Sequence, residues 1–424
     1  MAILQQRLKL LGAVFCLTHG AVAAANEVDP LSLQSAPEAP TKSERAPLRL
    51  YVEGSIGMAE RRYGLPTARL TRGSVDLSWT AGDTSGLRFV VSNRLDNVHP
   101  SESGGPSTIN SLREAYVGWQ DQAAQHVVEF GRVNLRVGPA FGFNPTDFFR
   151  DGSSRVTTSV DPLANRDNRL GTFMLKLQRL GQAGSATILL APKLESVRSA
   201  RSFSLDLGAT NHADRALVLF SGQTSTSVSG QALVYFERGK GFQLGANASS
   251  LLSDAAVGFV EVSGGRDTVV VPTSTGLASR VASGQRFASG LTYTTQSRLA
   301  LTVEYEFNGF AANRSSWTKS AAAGQTSILE SYLSQAQMRQ DLAGRQAVFF
   351  HASHRGAIVK ALEISGFVRL NLDDHSRLIW VEARYRWPTV DLALQFQRTS
   401  GTTLSEFGVL ANRNVVQAVT AVYF

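Results

Sequence analysis

This sequence predicts an all-β fold: a transmembrane antiparallel β-barrel of about 18 strands, roughly 16–20, with short periplasmic turns and long extracellular loops. Three observations point there. Apolar and polar residues alternate with a period of two along nearly the whole chain. Short and long connections fall on opposite rims, and an export signal is followed by no segment able to anchor as a helix.

The alternation is clearest over residues 377–398, which read as two strands joined at Trp387-Pro388-Thr389. Ile379, Val381, Ala383 and Tyr385 alternate with Trp380, Glu382, Arg384 and Arg386. Val390, Leu392, Leu394 and Phe396 alternate with Asp391, Ala393, Gln395 and Gln397. A period of two puts each set on its own face, one apolar and one charged. The unit recurs with no helical pattern between copies to cover the apolar side, so lipid is expected to cover it. Composition agrees: 43% hydrophobic and 18% charged residues suit strands that face lipid on one side and water on the other.

Residues 1–25 read as a signal peptide, with Arg7 and Lys9 ahead of an apolar run to Ala25 and an alanine-rich cleavage sequence. Cys16, the single cysteine, lies inside it, so the mature chain is expected to have neither thiol nor disulfide. Without Arg7 and Lys9 the chain keeps 40 basic against 34 acidic residues. The bases are scattered and mostly alternate with acids, which gives no reason to expect nucleic acid. Residues 26–47, with four prolines among small and charged residues, read as a disordered periplasmic leader.

Residues 48–424 are expected to form the barrel. Its strands are read at 48–58, 67–80, 86–95, 112–120, 126–132, 169–180, 184–193, 215–222 and 230–238. They continue at 241–250, 255–263, 285–295, 298–308, 345–353, 359–370, 377–387, 390–398 and 412–424. With the N-terminus in the periplasm, every second connection is short: 81–85, 121–125, 181–183, 224–228, 251–254, 296–297, 354–356 and 387–389. The long ones, 96–111, 133–168, 194–214, 264–284 and 309–344, all fall on the other rim. Outer-membrane barrels sort their connections in this way. The chain closes with Val416, Ala418, Thr420, Val422 and Phe424 at every second place. A final strand ending in Phe resembles the signal read by the barrel assembly machinery, although Tyr423 stands one place from the usual aromatic position. The expected location is the bacterial outer membrane, as a monomer or trimer in lipid.

The faces opposite the lipid side collect the charges. Glu304 and Glu306 alternate with Val303, Tyr305 and Phe307, and Glu382, Arg384 and Arg386 with the apolar set named above. Arg49, Glu53, Asp76, Arg88, Arg94, Glu114, Glu237, Glu261, Arg286, Glu363 and Arg369 fall on the same side by the same count. Such residues either fill a polar interior with cross-strand ion pairs or line a water-filled path and set its selectivity. The bases are mostly Arg, which suits planar pairing with carboxylates or anionic solutes. The most informative connection is 133–168, which carries Arg136, Arg150, Arg155 and Arg166 and the run Phe141-Gly142-Phe143-Asn144-Pro145-Thr146-Asp147-Phe148-Phe149-Arg150. Four aromatics on a loop need burial. Folding inward would bury them and make this segment the constriction, with Arg136, Asp147, Phe148, Arg150 and Arg155 beside Arg88, Arg94, Glu304, Glu306, Glu382, Arg384 and Arg386 on the path. The alternative is an external loop packed on itself or on a partner subunit.

These residues carry a resemblance. Arg113-Glu114-Ala115-Tyr116-Val117, Glu129-Phe130-Gly131-Arg132, Asn144-Pro145-Thr146-Asp147 and Val303-Glu304-Tyr305 ahead of Asn308-Gly309 resemble the porin-like barrels related to the alginate-export family. The resemblance spans 48–424 and implies an 18-stranded monomeric barrel for passive passage of solutes. In the exporters it implies an arginine-lined path for an anionic polymer. Those pore arginines have no position-by-position counterpart here, and Val137-Gly138 stands where relatives often have Trp-Gly.

The expected function is therefore a porin-like channel for small polar or anionic solutes, or for export of an anionic polymer. The alternative is an outer-membrane hydrolase using Asp373, Asp374 and His375 at the extracellular rim, where an acidic pair with a histidine could activate water. Asp-Asp-His is equally an ordinary turn sequence. His351 and His354, three apart, face opposite sides of a strand. No cofactor or metal is expected, and no catalytic residue is assigned.

Overall fold

The computed structural model describes residues 47–100, 106–155, 159–225, 227–322 and 326–424. The signal peptide and all but the last residue of the leader lie outside them. The first nine strands are β1 (Leu48–Arg61), β2 (Ala68–Gly82), β3 (Leu87–His99), β4 (Thr108–Gln120), β5 (His126–Val133), β6 (Thr172–Gly181), β7 (Gly184–Ala191), β8 (Arg215–Ser225) and β9 (Val228–Glu237). The second nine are β10 (Gly241–Ser253), β11 (Ala256–Pro272), β12 (Leu277–Thr294), β13 (Leu299–Asn308), β14 (Gln346–Arg355), β15 (Leu362–Asn371), β16 (Arg377–Arg386), β17 (Val390–Ser400) and β18 (Asn412–Tyr423). Each pairs antiparallel with its sequence neighbours. β18 pairs with β1 from Tyr51↔Tyr423 to Arg61↔Asn412, which closes the sheet and leaves no edge.

Alternation decides which side chains face out. On β13 Leu301 and Val303 are exposed, whereas Thr302, Glu304, Glu306 and Asn308 are buried. The exterior is an apolar belt that includes Val75, Phe89, Val117, Phe130, Phe220, Leu244, Val262, Phe350, Val381 and Leu394. Burying such a belt in lipid and pairing every backbone group within the closed sheet are what allow a β-fold to span a bilayer.

Connections at the rim shared by 83–86, 121–125, 182–183, 254–255, 295–298 and 387–389 are tight. At the first, Gly86 adopts φ +87, and a Cβ there would lie 2.0 Å from the Gln120 carbonyl, so only glycine fits. The other, outer rim carries 134–171, 192–214, 309–345 and 401–411.

Two expectations need correction. Residues 264–284 are not a loop: β11 and β12 continue as a long hairpin that turns at 273–276, where Thr273 N–H donates to the Gly276 carbonyl at 2.8 Å. Gly264-Gly265 imitates a strand end, yet Gly265 is glycine because β10 passes so close that a Cβ would sit 2.4 Å from the Phe242 carbonyl. The outer connections also contain helices, α1 (Pro162–Asp167), α2 (Leu207–Thr210), α3 (Arg314–Ala322) and α4 (Thr326–Met338). In α4, Leu329, Tyr332, Leu333 and Ala336 follow helical spacing; Leu329 is buried, and the other three pack with Trp317 against Val270 and Leu277 of the extended hairpin.

Candidate functional site: a strapped lumen

The connection between β5 and β6 folds into the barrel as a strap, and two carboxylates of the wall hold it. Glu304 of β13 accepts backbone N–H bonds from Phe141 (2.8 Å), Gly142 (3.2 Å) and Phe143 (3.0 Å). Glu261 of β11 accepts from Ala140 N–H (2.7 Å), Thr146 N–H (3.1 Å) and Thr146 Oγ1 (2.8 Å). The oxygens of a carboxyl group buried in the wall need hydrogen-bond partners. The strap's successive N–H groups supply them. Gly138 and Gly142 make the approach possible, since a Cβ would lie 2.2 Å from Glu261 and 2.3 Å from Glu306 respectively. Arg369 donates to both the Gly142 carbonyl (2.7 Å) and Glu306 (2.9 Å), locking the same turn from β15.

The strap's aromatics enter two apolar clusters. Phe141 joins Phe349, Phe367 and Trp380, with the His351 ring 4.5 Å from its own. Phe149 packs among Met174, Leu189, Leu217, Leu219, Leu233 and Tyr235, the inward faces of β6–β9, and Phe148 stacks on Tyr235 at 4.7 Å. Each such burial contributes about 1.5–3 kcal/mol. The inner face of β6–β9 is therefore apolar and covered by protein, where the expectation had the inward faces collecting the charges. β7, β8 and β9 read Ala186-Thr187-Ile188-Leu189-Leu190, Ala216-Leu217-Val218-Leu219-Phe220 and Ala232-Leu233-Val234-Tyr235-Phe236, apolar on both faces. That doubled pattern was the signal that something inside must cover them.

The half of the wall made by β1–β4 and β14–β18 stays open. A cavity of about 1090 Å³ lies between the strap and the inner faces of β1–β4 and β14–β18. Nine arginines and seven carboxyl groups line it. Most of that charge is spent in pairs. Arg94 reaches Asp96 (3.0 Å), Glu53 (3.0 Å) and Asp76 (3.6 Å), and Arg113 meets Asp76 at 2.5 Å. Across the opening Arg384 meets Glu382 (2.8 Å), and Arg386 bridges Glu363 and Asp391, both at 2.9 Å. Asp161, the N-cap of α1, accepts from Leu163 N–H at 3.2 Å. Burial, reinforced by the Glu382 and Asp167 carboxylates, pushes its carboxyl up to about 6 against partial relief from the Leu163 and Ala164 N–H groups.

Of the residues expected on the path, Arg94, Arg136, Glu382, Arg384 and Arg386 line this cavity. Arg136 is held there by Asp167 at 2.5 Å. The others do not. Asp147 is buried against Arg169 (2.8 Å), and Arg150 against Asp341 (2.5 Å), which also binds Arg286 (2.9 Å). Although burial opposes it, Arg286 and Arg150 hold the Asp341 carboxyl far below the usual carboxylate range. Arg155 faces Asp206 at 3.4 Å, Phe148 lies on Tyr235, and Glu304 and Glu306 sit under the strap. These six hold the strap and its surroundings rather than face solute. Arg88 lies toward the tight-turn rim, paired to Glu129 at 2.8 Å. Period-two counting places a residue inside but cannot say whether strap or water covers it. His351 and Trp380 line the cavity without having been singled out for it, and Asp161 was hidden in a connection with no repeat.

Asp373 accepts N–H bonds from Arg345 (2.8 Å) and Gln346 (3.3 Å), and Asp374 from Ser376 and Glu406 (2.8 and 2.7 Å). These carboxylates tie outer connections together.

A search of solved structures finds barrels of the same architecture. OccAB1 of Acinetobacter baumannii superposes with TM-score 0.58 at 10% identity, covering 91% of this chain and 98% of that one. OccK8 (OprE) of Pseudomonas aeruginosa does so with TM-score 0.54 at 9% identity, covering 89% and 97%. The chain has the porin-like barrel fold. No family model and no curated protein matches the sequence. At such identities the likeness is one of fold, and solute and selectivity rest on the lumen itself.

Proposed function

We propose that this barrel is an outer-membrane channel for passive passage of small polar solutes, with the 134–171 strap as its constriction. The observation that carries the reading is the open cavity between strap and wall inside a closed, lipid-belted barrel. The pairing of its arginines with carboxylates favours small solutes of either sign over an anionic polymer, which would need unpaired cations along its route. The alginate-export resemblance thus supports the architecture and not that cargo. We read Phe424, exposed after β18 with its N–H donating to the Leu50 carbonyl at 2.9 Å, as the residue offered to the barrel assembly machinery.

We read Asp373 and Asp374 as structural rather than hydrolytic, because backbone donors already occupy them. The test is a planar bilayer measurement under a salt gradient, repeated after removal of residues 141–151. Stable conductance that grows on removal supports pore and constriction together. Conductance unchanged by removal contradicts the constriction, and no conductance in either form contradicts the channel.

A further inference from the structure

One stretch of the cavity wall differs from the rest. Most lumen arginines face carboxylates, but here the Asp161 carboxyl group has no cation across from it among the described residues. Asp161 has no ion-pair partner among the described residues, and its neighbours Val160 and Leu163 pack on the Phe141, Phe349, Phe367 and Trp380 cluster. Asp161 therefore stands between two residues that rest on this aromatic shelf. The His351 ring lies 4.5 Å from Phe141 of the shelf, is only 8% exposed, and has a buried Nδ1 without a hydrogen-bond partner. Asp161, His351, Phe141, Trp380 and Glu382 all border the same cavity. Glu382 is already bound by Arg384 (2.8 and 2.9 Å) and Gln395 (2.5 Å), so it adds negative field rather than a free oxygen.

The cation of this stretch, Arg384, is already spent on Glu382, and none reaches Asp161 among the described residues. A carboxylate accepts, an unpartnered imidazole nitrogen can accept, and aromatic faces attract cations. An anion would be repelled by Asp161 and Glu382 and would meet an Arg384 already paired. We propose that Asp161, His351 and the Phe141–Trp380 shelf form a subsite for a protonated amine, so that the channel favours organic ammonium solutes; this rests on the channel reading above. The proton that burial retains on Asp161 up to about pH 6 marks the same unmet demand for positive charge.

The test uses the full chain in a planar bilayer, with phenethylammonium and phenylacetate as probes of similar size and opposite charge. Phenethylammonium should interrupt the KCl current in a concentration-dependent way, and phenylacetate should not. Asp161→Asn should raise the half-blocking concentration about tenfold or more, the worth of one charge-assisted hydrogen bond. Asp161→Glu should retain the block, which separates loss of the subsite from loss of the fold. Equal interruption by both probes, or an unchanged half-blocking concentration in Asp161→Asn, overturns the subsite. A wild-type protein that carries no KCl current contradicts the channel reading instead. Calorimetric titration of the detergent-solubilised protein with phenethylammonium then decides the subsite: binding lost in Asp161→Asn supports it, and no binding to wild type overturns it.

Discussion

Glu304 shows how one side chain can decide the use of a whole lumen. Its two oxygens take three consecutive backbone N–H groups of the strap, where glutamine would offer a single acceptor oxygen. Glu304→Ala leaves those donors buried without partners, at about 1–3 kcal/mol each. We expect lower thermal stability in detergent and a larger, noisier single-channel current. A mutant with wild-type current and stability would show that the aromatics alone hold the strap. Asp161 gives a pH signature. Its folded pKa is raised to about 6, so protonation favours the folded strap, and that contribution fades as pH rises through this value. The same rise adds one negative charge to the cavity. Reversal potentials measured at about pH 5 and about pH 7.5 should shift toward cation preference, and Asp161→Asn should remove the step.

At the scale of elements, the wall is uneven. β5 and β7 have eight residues each, against thirteen in β3 and β4. The 192–214 connection fills the gap. Asn110 N–H of β4 donates to the Ser202 carbonyl (2.7 Å), and the Asn211 side chain both accepts from Phe173 N–H (2.9 Å) and donates to its carbonyl (2.8 Å), imitating a neighbouring strand. Arg132 at the end of β5 is covered by the same connection, through the Leu205 carbonyl (2.6 Å). Asn211→Ala should fray the upper ends of β6 and β7, read as faster hydrogen exchange at Phe173 with the rest of the barrel unchanged. Exchange that stays slow there would mean the connection is held by α2 alone. The four motifs that carried the family resemblance also acquire a physical reading at this scale. Asn144 to Asp147 and Glu304 anchor the strap, Arg113 ties β4 to Asp76 and to Asn168 at the strap's end, and Glu129 pairs with Arg88 and Lys176.

For the whole molecule the decisive boundary is with lipid. Val303 faces out between the inward Thr302 and Glu304, and a charge there would enter the hydrocarbon belt. Val303→Arg should cost about 2–4 kcal/mol near the bilayer centre. The expected outcome is less heat-modifiable barrel in the membrane fraction. Normal assembly of this variant would contradict the assigned lipid face.

The strand pattern was legible in the sequence because lipid on one side and the interior on the other impose a period of two at each strand, a constraint local enough to read residue by residue. All eighteen strands and the inward side of Arg94, Glu304, Glu382 and Arg384 follow from it. What covers an inward residue depends on contacts across more than a hundred positions, such as Ala140 with Glu261 and Phe141 with Glu304. Only the tertiary structure could decide that β6–β9 face the strap while β1–β4 and β14–β18 face water. It alone could place Asp147 and Arg150 among the strap's supports and leave Asp161 beside the aromatic shelf, because burial there is decided by which distant surfaces meet and not by any local period.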